Sequence, residues 1–340
     1  MDQRWVRRPD GSNWGRFGSA DCLGTLNHIT PDRRLAAARE IRDGTTFCLS
    51  LPLDLPGGNI LNPRRHPPHL RPTMRGETLN YNYRAGETEP GAVDVISDDC
   101  ITLYNQYSTQ WDGLAHGGAL FDADGDGDAE AVYYNGFRGG IEVVAGRDAD
   151  GRPYSSAGPI GIDAVATAGL QGRGILVDLV HHFGQDRRRV TYADLKTVLD
   201  ADGISIEAGD IVCLRTGFTD LLIEMAGKPD LDRLNAHAIE LDGRDDELLA
   251  WISRSEIAAL AADNYAVEAL PATQTPPPYA AAPLHHHCLF KLGMPLGELW
   301  YLTELAAWLR RHGRHRFFLS APPLRLPGAA GSPVTPLATV

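Results

Sequence analysis

The stretch Asp98–Gly118, DDCITLYNQYSTQWDGLAHGG, organises the rest of the chain. Its odd positions include Ile101, Leu103, Tyr107 and Trp111, and its even positions include Thr102, Gln106, Ser108, Gln110 and Asp112. In an extended strand a period of two sends those sets to opposite faces. The segment is therefore expected to lay Tyr107 and Trp111 on a core and to offer two carboxamides and a carboxylate to a cleft. Gly113 allows a turn, and His116 follows Asp112 by four positions. A half-buried strand with a solvated polar face gives the same pattern, so spacing alone leaves both readings open.

Upstream, residues 1–29 form an irregular extension rich in Gly, Asp and Trp. Thr30 can cap a helix, and Pro31 suits its first position, with RRLAAAREIRD running on to Gly44. TTFCLSLPLDL then reads as a strand, with Phe47 and Leu49 on one face. Residues 56–90 are dense in Gly, Pro, Asn and Arg, the composition of a long surface excursion of the kind that serves as a lid. Downstream, Asp122, Asp124, Asp126 and Gly127 imitate a calcium loop. The twelfth position is Tyr133 where a bidentate Glu belongs, which reduces the segment to an acidic turn.

GRGILVDLV, ending at His181 and His182, and GDIVCLRTG are apolar runs bounded by glycine, expected as buried central strands. Thr191 with Asp194 has the spacing of a capping box for a helix that stops near Gly203. Helices are expected near 219–226 and 245–254, and IAALAADNYAVEALP returns to the sheet. PLHHHCLFKLG reads as a short helix ended by Gly293, and LGELWYLTELAAWLRRHG as one helix carrying Leu299, Leu302, Leu305 and Leu309. Strands and helices interleave without strict βα alternation. That predicts one α/β domain over residues 1–340 with a mixed sheet.

The chain has 340 residues, 43% of them hydrophobic and 22% charged, as in ordinary globular proteins. A net charge of −12 argues against a nucleic-acid partner and against an anionic membrane surface. No apolar run approaches a membrane span, and the N-terminus lacks the apolar core of a signal peptide. Five scattered cysteines without a CxxC pair fit neither a disulfide framework nor a zinc ribbon. A cytoplasmic protein is the expectation.

STQWDGLAH resembles the signature of the cyclase family, which includes bacterial kynurenine formamidases and isatin hydrolases: His-x-Gly-Thr-His-x-Asp-x-Pro-x-His. SADCLGTLNHITPDRRLAAA, GRGILVDL, GDIVCLRTG and the closing PLRLPGAAGSPVTPLA look like further blocks of that family in order, covering roughly 14–340. The resemblance implies a β/β/α swivelling-domain fold and a homo-oligomer, dimer or tetramer. It places the family's first two metal-ligand histidines on Gln106 and Gln110, its ligand Asp on Asp112, and its general acid/base on His116. A downstream His and Glu separated by twelve positions fall on His286 and Glu298, with Glu298 shared between metal binding and catalysis. The family Gly falls on Ser108 and the Pro on Leu114.

Two imidazoles are thus replaced by carboxamides, which are weaker, harder donors. Asp112, His286, Glu298 and Gln110 remain as a candidate set for a divalent ion, Mn, Mg or Zn. Gln106 and Gln110 are candidates for substrate contact. Gln106 is about 13 Å from Gln110 along an extended strand, at about 3.3 Å per residue, so it reaches the site only if the chain bends near Ser108. The resemblance implies metal-assisted hydrolysis of an amide or lactone in a small cyclic or aromatic substrate. The missing imidazoles keep open a lyase or ring-forming enzyme without a hydrolytic metal, and a non-catalytic small-molecule binding protein.

Overall fold

The structure, a computed structural model, describes residues 3–340. Its centre is a nine-stranded sheet. In chain order the strands are β1 (Thr46–Cys48), β2 (Gln110–Asp112), β3 (Gln171–Asp178), β4 (Ile211–Arg215), β5 (Ala259–Ala262), β6 (Leu296–Glu298), β7 (Arg316–Ser320), β8 (Gly331–Pro333) and β9 (Leu337–Thr339). Across the sheet they run β1-β9-β7-β3-β4-β5-β6-β2-β8. The run β3-β4-β5-β6 is parallel, and every pairing outside it is antiparallel. The sheet is the mixed α/β arrangement expected, and it draws strands from both ends of the chain.

The two apolar runs became strands because both of their faces are covered. Leu176, Ile211, Cys213, Ala259 and Ala261 sit in one buried cluster, while Val177, Val212, Leu214, Leu260 and Ala262 sit in another. This alternation is the period-two signature of a strand buried on both sides. The helix opened by Thr191 spans Tyr192–Asp202, with both halves of its capping box formed and Gly203 left-handed at its end. The helix after Thr30 is shorter than expected, Pro31–Ala38, and turns out before Gly44. No helix among the described residues is long and apolar enough to cross a membrane.

Three elements differ from the sequence expectation, and each bears on the site. The organising stretch is not one strand. Asp99–Thr102 pairs with His69–Pro72 in a separate ribbon, the chain then turns, and only Gln110–Asp112 enters the main sheet. The excursion at 56–90 joins that ribbon and two smaller ones, Met74–Arg75 with Thr78–Leu79 and Tyr83–Arg84 with Val95–Ile96. LGELWYLTELAAWLRRHG is split. Leu296–Glu298 is strand β6, and the helix begins only at Thr303 and ends at Arg311. Leu299 between them has φ 55°, a left-handed conformation that breaks any continuous helix.

The acidic turn is satisfied by its own amides and by two arginines outside it. Asp122 accepts hydrogen bonds from Gly125 N, Gly127 N and the Arg7 guanidinium. Arg138 bridges Asp124 and Glu130.

A candidate active site at the junction of β2 and β6

The site is built on register. Gln110 lies opposite Glu298, Trp111 opposite Gly297, and Asp112 opposite Leu296. Side chains directly opposite each other in an antiparallel pair leave on the same face. Gln110, Asp112 and Glu298 therefore share one face, and Trp111 takes the other. Trp111 is fully buried against Trp300, ring centroids 4.9 Å apart, with its indole N–H donated to the Ala321 carbonyl at 2.9 Å. The expected split between Trp111 and Asp112 holds over these three residues. Gly297 keeps the junction tight, since a Cβ there would come within 2.7 Å of Ala261 and 2.8 Å of the Trp300 ring.

Tyr107 is buried, but not as part of an alternating strand. The turn places its hydroxyl between the Gly57 N–H, which donates to it at 3.0 Å, and the Gly58 carbonyl, to which it donates at 2.8 Å. The same bend near Ser108 folds Gln106 back. A Cβ on Gly331 would lie 2.6 Å from the Gln106 amide nitrogen, and Gly331 is the β8 residue opposite Asp112. Gln106 thus reaches the neighbourhood of Asp112.

Asp112, His285 and Glu298 form a group whose donor atoms all lie within 4.8 Å of one another. His285 Nε2 stands 3.3 Å from Glu298 Oε1 and 3.8 Å from Asp112 Oδ2. His116 Nε2 is 3.7 Å from Asp112 Oδ1. Its ring is 27% exposed while Asp112 is 1% exposed, so the histidine forms the wall and the carboxylate the floor. The turn carrying it is closed by a hydrogen bond from His116 N to the Gly113 carbonyl at 2.9 Å.

The histidine in this group is His285, not His286. The three consecutive histidines lie on a helical segment that starts at Pro283 and widens into a π-helix over His286–Leu292. Successive residues leave a helix about 100° apart, so only one of three can face a given point. His285 faces the carboxylates, and His286 packs on Phe290 with ring centroids 4.9 Å apart. His287 meets Ser253 Oγ at 2.9 Å. Burial, with Lys291 nearby, pulls both of the latter rings down to about 4, which leaves them neutral. The interval from His285 to Glu298 is one longer than the twelve positions expected. The π-turn between them accommodates one extra residue per turn relative to an α-helix.

Gln110 is at the site, but its nitrogen is turned inward. The amide Nε2 donates to Glu298 Oε2 at 3.0 Å and to Asp112 Oδ1 at 3.3 Å. The residue ties the two carboxylates together rather than adding an oxygen ligand. Its own oxygen, and Asp112 Oδ2, are buried with no hydrogen-bond partner.

One member of the site was not anticipated from sequence. Glu268 is fully buried and accepts three hydrogen bonds: Leu284 N at 2.9 Å, His285 N at 2.9 Å and His285 Nδ1 at 2.8 Å. It fixes the ring so that Nε2 points at Asp112 and Glu298. The backbone before it is strained, with Ala266 at φ 78° and Val267 at φ 58°, and a β-branched residue there is rare. The signal available in the sequence was a lone acid among apolar neighbours in NYAVEALP, because an unpaired buried carboxylate is not tolerated.

Charge follows from this geometry. Burial favours the neutral form of Asp112, but the imidazoles of His116 and His285 and the Arg65 guanidinium outweigh it and hold the carboxyl below its usual range. Burial also favours neutral His285, yet the surrounding carboxylates of Asp112, Glu268 and Glu298 hold its ring well above the ordinary histidine value. The pocket therefore attracts positive charge. Separations of 3.3 and 3.8 Å between the donor atoms are below twice the roughly 2.0–2.2 Å of a metal–ligand bond. The orphaned Asp112 oxygen fits a cation held by Asp112, His285 and Glu298. Glu268 then completes a carboxylate–histidine pair of the kind that orients metal ligands.

Beside this group lies a cleft of about 720 Å³. His116, His285 and His286 line one part, and Leu120, Tyr279 and Ala281 line another. The Arg244 guanidinium holds the opposite wall by donating to the carbonyls of Ala280 at 2.7 Å and Thr273 at 3.1 Å.

No curated protein matches the chain. A crystal structure described as that of a novel cyclase is 33% identical, with 97% of each chain covered and a TM-score of 0.74. Isatin hydrolase A from Labrenzia aggregata, solved with benzyl benzoate, is 16% identical over 92% of this chain and 99% of its own, with a TM-score of 0.56. Isatin hydrolase A from Ralstonia solanacearum is 18% identical over 91% and 97%, with a TM-score of 0.52. At those identities the two hydrolases share the fold. The family model described as putative cyclase matches residues 48–269, which contain Asp112, His116 and Glu268. With that match and the 33% identical structure over nearly its whole length, the chain belongs to the cyclase family.

Proposed function

We propose that the protein is a metal-dependent hydrolase that opens an amide or lactone bond in a small cyclic or aromatic compound. The observation that carries this reading is the orphaned buried Oδ2 of Asp112, in the group that Asp112 forms with His285 and Glu298. A buried carboxylate oxygen without a donor is costly and calls for a cation. Held there, a divalent ion would supply a Lewis acid and a water that ionises near neutral pH. Two carboxylates and one imidazole make a donor set richer in oxygen than a three-histidine site, which shifts relative preference toward Mn or Mg, with Zn still competing.

His116 is the group placed to move the proton. Its imidazole stands at the cleft wall with Asp112 behind it. It can take a proton from an attacking water and return it to the departing nitrogen or oxygen. Glu268 holds His285 in one tautomer, and Gln110 holds Asp112 and Glu298 together. The apolar part of the cleft, including Leu120 and Tyr279, offers a surface for the ring of the substrate.

One observation favours a second reading. Gln110 gives the carboxylates a nitrogen, so the group lacks the second imidazole and a third oxygen ligand alike. A lyase or ring-forming enzyme that uses His116 without a hydrolytic ion fits that feature. Assaying aryl lactones, cyclic amides and N-formyl anilines for acid release separates the two. Turnover abolished by a chelator and restored by Mn or Zn supports hydrolysis. Metal-loaded protein inert on every member of the panel would remove the hydrolase reading.

A further inference from the structure

Arg65 sits in the excursion after Pro56 and is half-buried. The inward-lying arginines Arg173, Arg215 and Arg314 each face a carboxylate, whereas Arg65 has none within ion-pair distance among the described residues. Among the described residues its guanidinium makes one hydrogen bond, from Nη1 to the main-chain carbonyl of Gln106, at 2.8 Å. A guanidinium carries five N–H donors, so most of its capacity is unspent. The remaining donors are open to an acceptor that a ligand would bring.

Gln106 links this cation to the site. Its carbonyl holds Arg65, and its carboxamide nitrogen lies where a Gly331 side chain would be, opposite Asp112. Only glycine at 331 leaves that room. Residues directly opposite in such a pair have Cβ positions about 4.5–5.5 Å apart, which puts the carboxamide beside Asp112. Arg65, Gln106, Tyr107, Asn62 and Tyr265 enclose a recess of about 10 Å³. That is room for one water-sized group and no ring. A carboxylate oxygen fits it, while a ring needs the larger cleft beside His116 and His285.

We propose that Arg65, with the Gln106 carboxamide, binds a carboxylate that the substrate carries apart from the bond that is cut, so the natural substrate is an organic acid. This rests on the Asp112 cleft being the active site, but not on the reaction being hydrolysis. Guanidinium suits the role because its charge-assisted N–H donors hold a carboxylate oxygen more strongly than neutral donors do.

Benzoate and its neutral counterpart benzamide are the probes, titrated by calorimetry into protein stripped with chelator and into protein reloaded with zinc. Wild type is expected to bind benzoate at least tenfold more tightly than benzamide in both states, the worth of a charge-assisted hydrogen bond. Arg65→Gln should bring the two ligands within about threefold, Arg65→Lys should keep part of the preference, and the exposed neighbour Arg64→Gln should keep all of it. Zinc content should be unchanged in each variant. Because wild type itself must prefer benzoate, the proposal can fail even if Arg65→Gln does not fold. It is overturned if wild type shows no preference, if Arg65→Gln retains it, or if benzoate binds only with zinc present. The readout is binding without turnover, so failure of the hydrolase reading leaves this result interpretable on its own.

Discussion

Replacing Glu268 by Gln probes how much of the site depends on a residue that touches no substrate. The carboxylate uses both oxygens: one accepts Leu284 N, and the other accepts His285 N and His285 Nδ1. A carboxamide can accept on only one side, so at least one buried N–H loses its acceptor and meets an N–H group instead. Leaving one such donor unsatisfied costs about 1–3 kcal/mol of stability. Loss of the ring's support should weaken binding of Mn²⁺ or Zn²⁺ by about 10- to 100-fold, the usual worth of a group that orients a ligating histidine. Competition with a chromophoric chelator gives the affinity, and scanning calorimetry of the apoprotein gives the stability. If the variant binds metal within twofold of wild type while His285→Ala abolishes binding, Glu268 does not set the ring and the argument from its three hydrogen bonds is wrong.

Other outcomes follow from the same geometry. His116→Ala should lower kcat by about 10²–10⁴ on whichever substrate the panel identifies, with metal content unchanged; wild-type turnover would remove it from proton transfer. Trp111→Ala should cost about 3–5 kcal/mol in urea unfolding, since it empties a fully buried indole site against Trp300. Glu240 is held by burial at about 7, above the ordinary 4.5 and against the pull of Arg187 and Arg189, and its Oε2 has no partner. A raised carboxyl favours the folded state below pH 4.5, and that contribution is lost as pH rises to about 7. Glu240→Gln should therefore gain up to about 3 kcal/mol on wild type between pH 5 and pH 8, at 1.36 kcal/mol per pH unit. A difference that stays flat between pH 5 and pH 8 would show that burial does not raise this carboxyl in the fold.

What was legible in the sequence was whatever local pattern and burial agreed on. The strands containing Leu176 and Val212 are apolar on both faces, short and bounded by glycine, the combination that favours a buried strand over a buried helix. Thr191 and Asp194 formed their capping box because both partners are local. Asp112 and Trp111 part company across β2 for the reason their alternation suggested. The misreadings came from interactions that no local pattern encodes. Leu299, Leu302, Leu305 and Leu309 have helical spacing, but Leu299 takes a left-handed conformation and Glu298 is claimed by the sheet. The polar row from Thr102 to Asp112 alternates, yet the first part pairs with an outlying ribbon and the chain bends before Gln110. Which of three adjacent histidines faces Asp112 depends on a widened helical turn and on Glu268, a residue seventeen positions upstream of His285 that only the folded chain brings near.

The claim at the centre is that His285, with Asp112 and Glu298, holds one divalent ion. Elemental analysis of protein purified without chelator tests it directly, with wild type, His285→Ala and His286→Ala measured side by side. About one equivalent of Mn or Zn is expected in wild type and in His286→Ala, and a small fraction of that in His285→Ala. Full metal content in His285→Ala, or its loss in His286→Ala, would contradict the account.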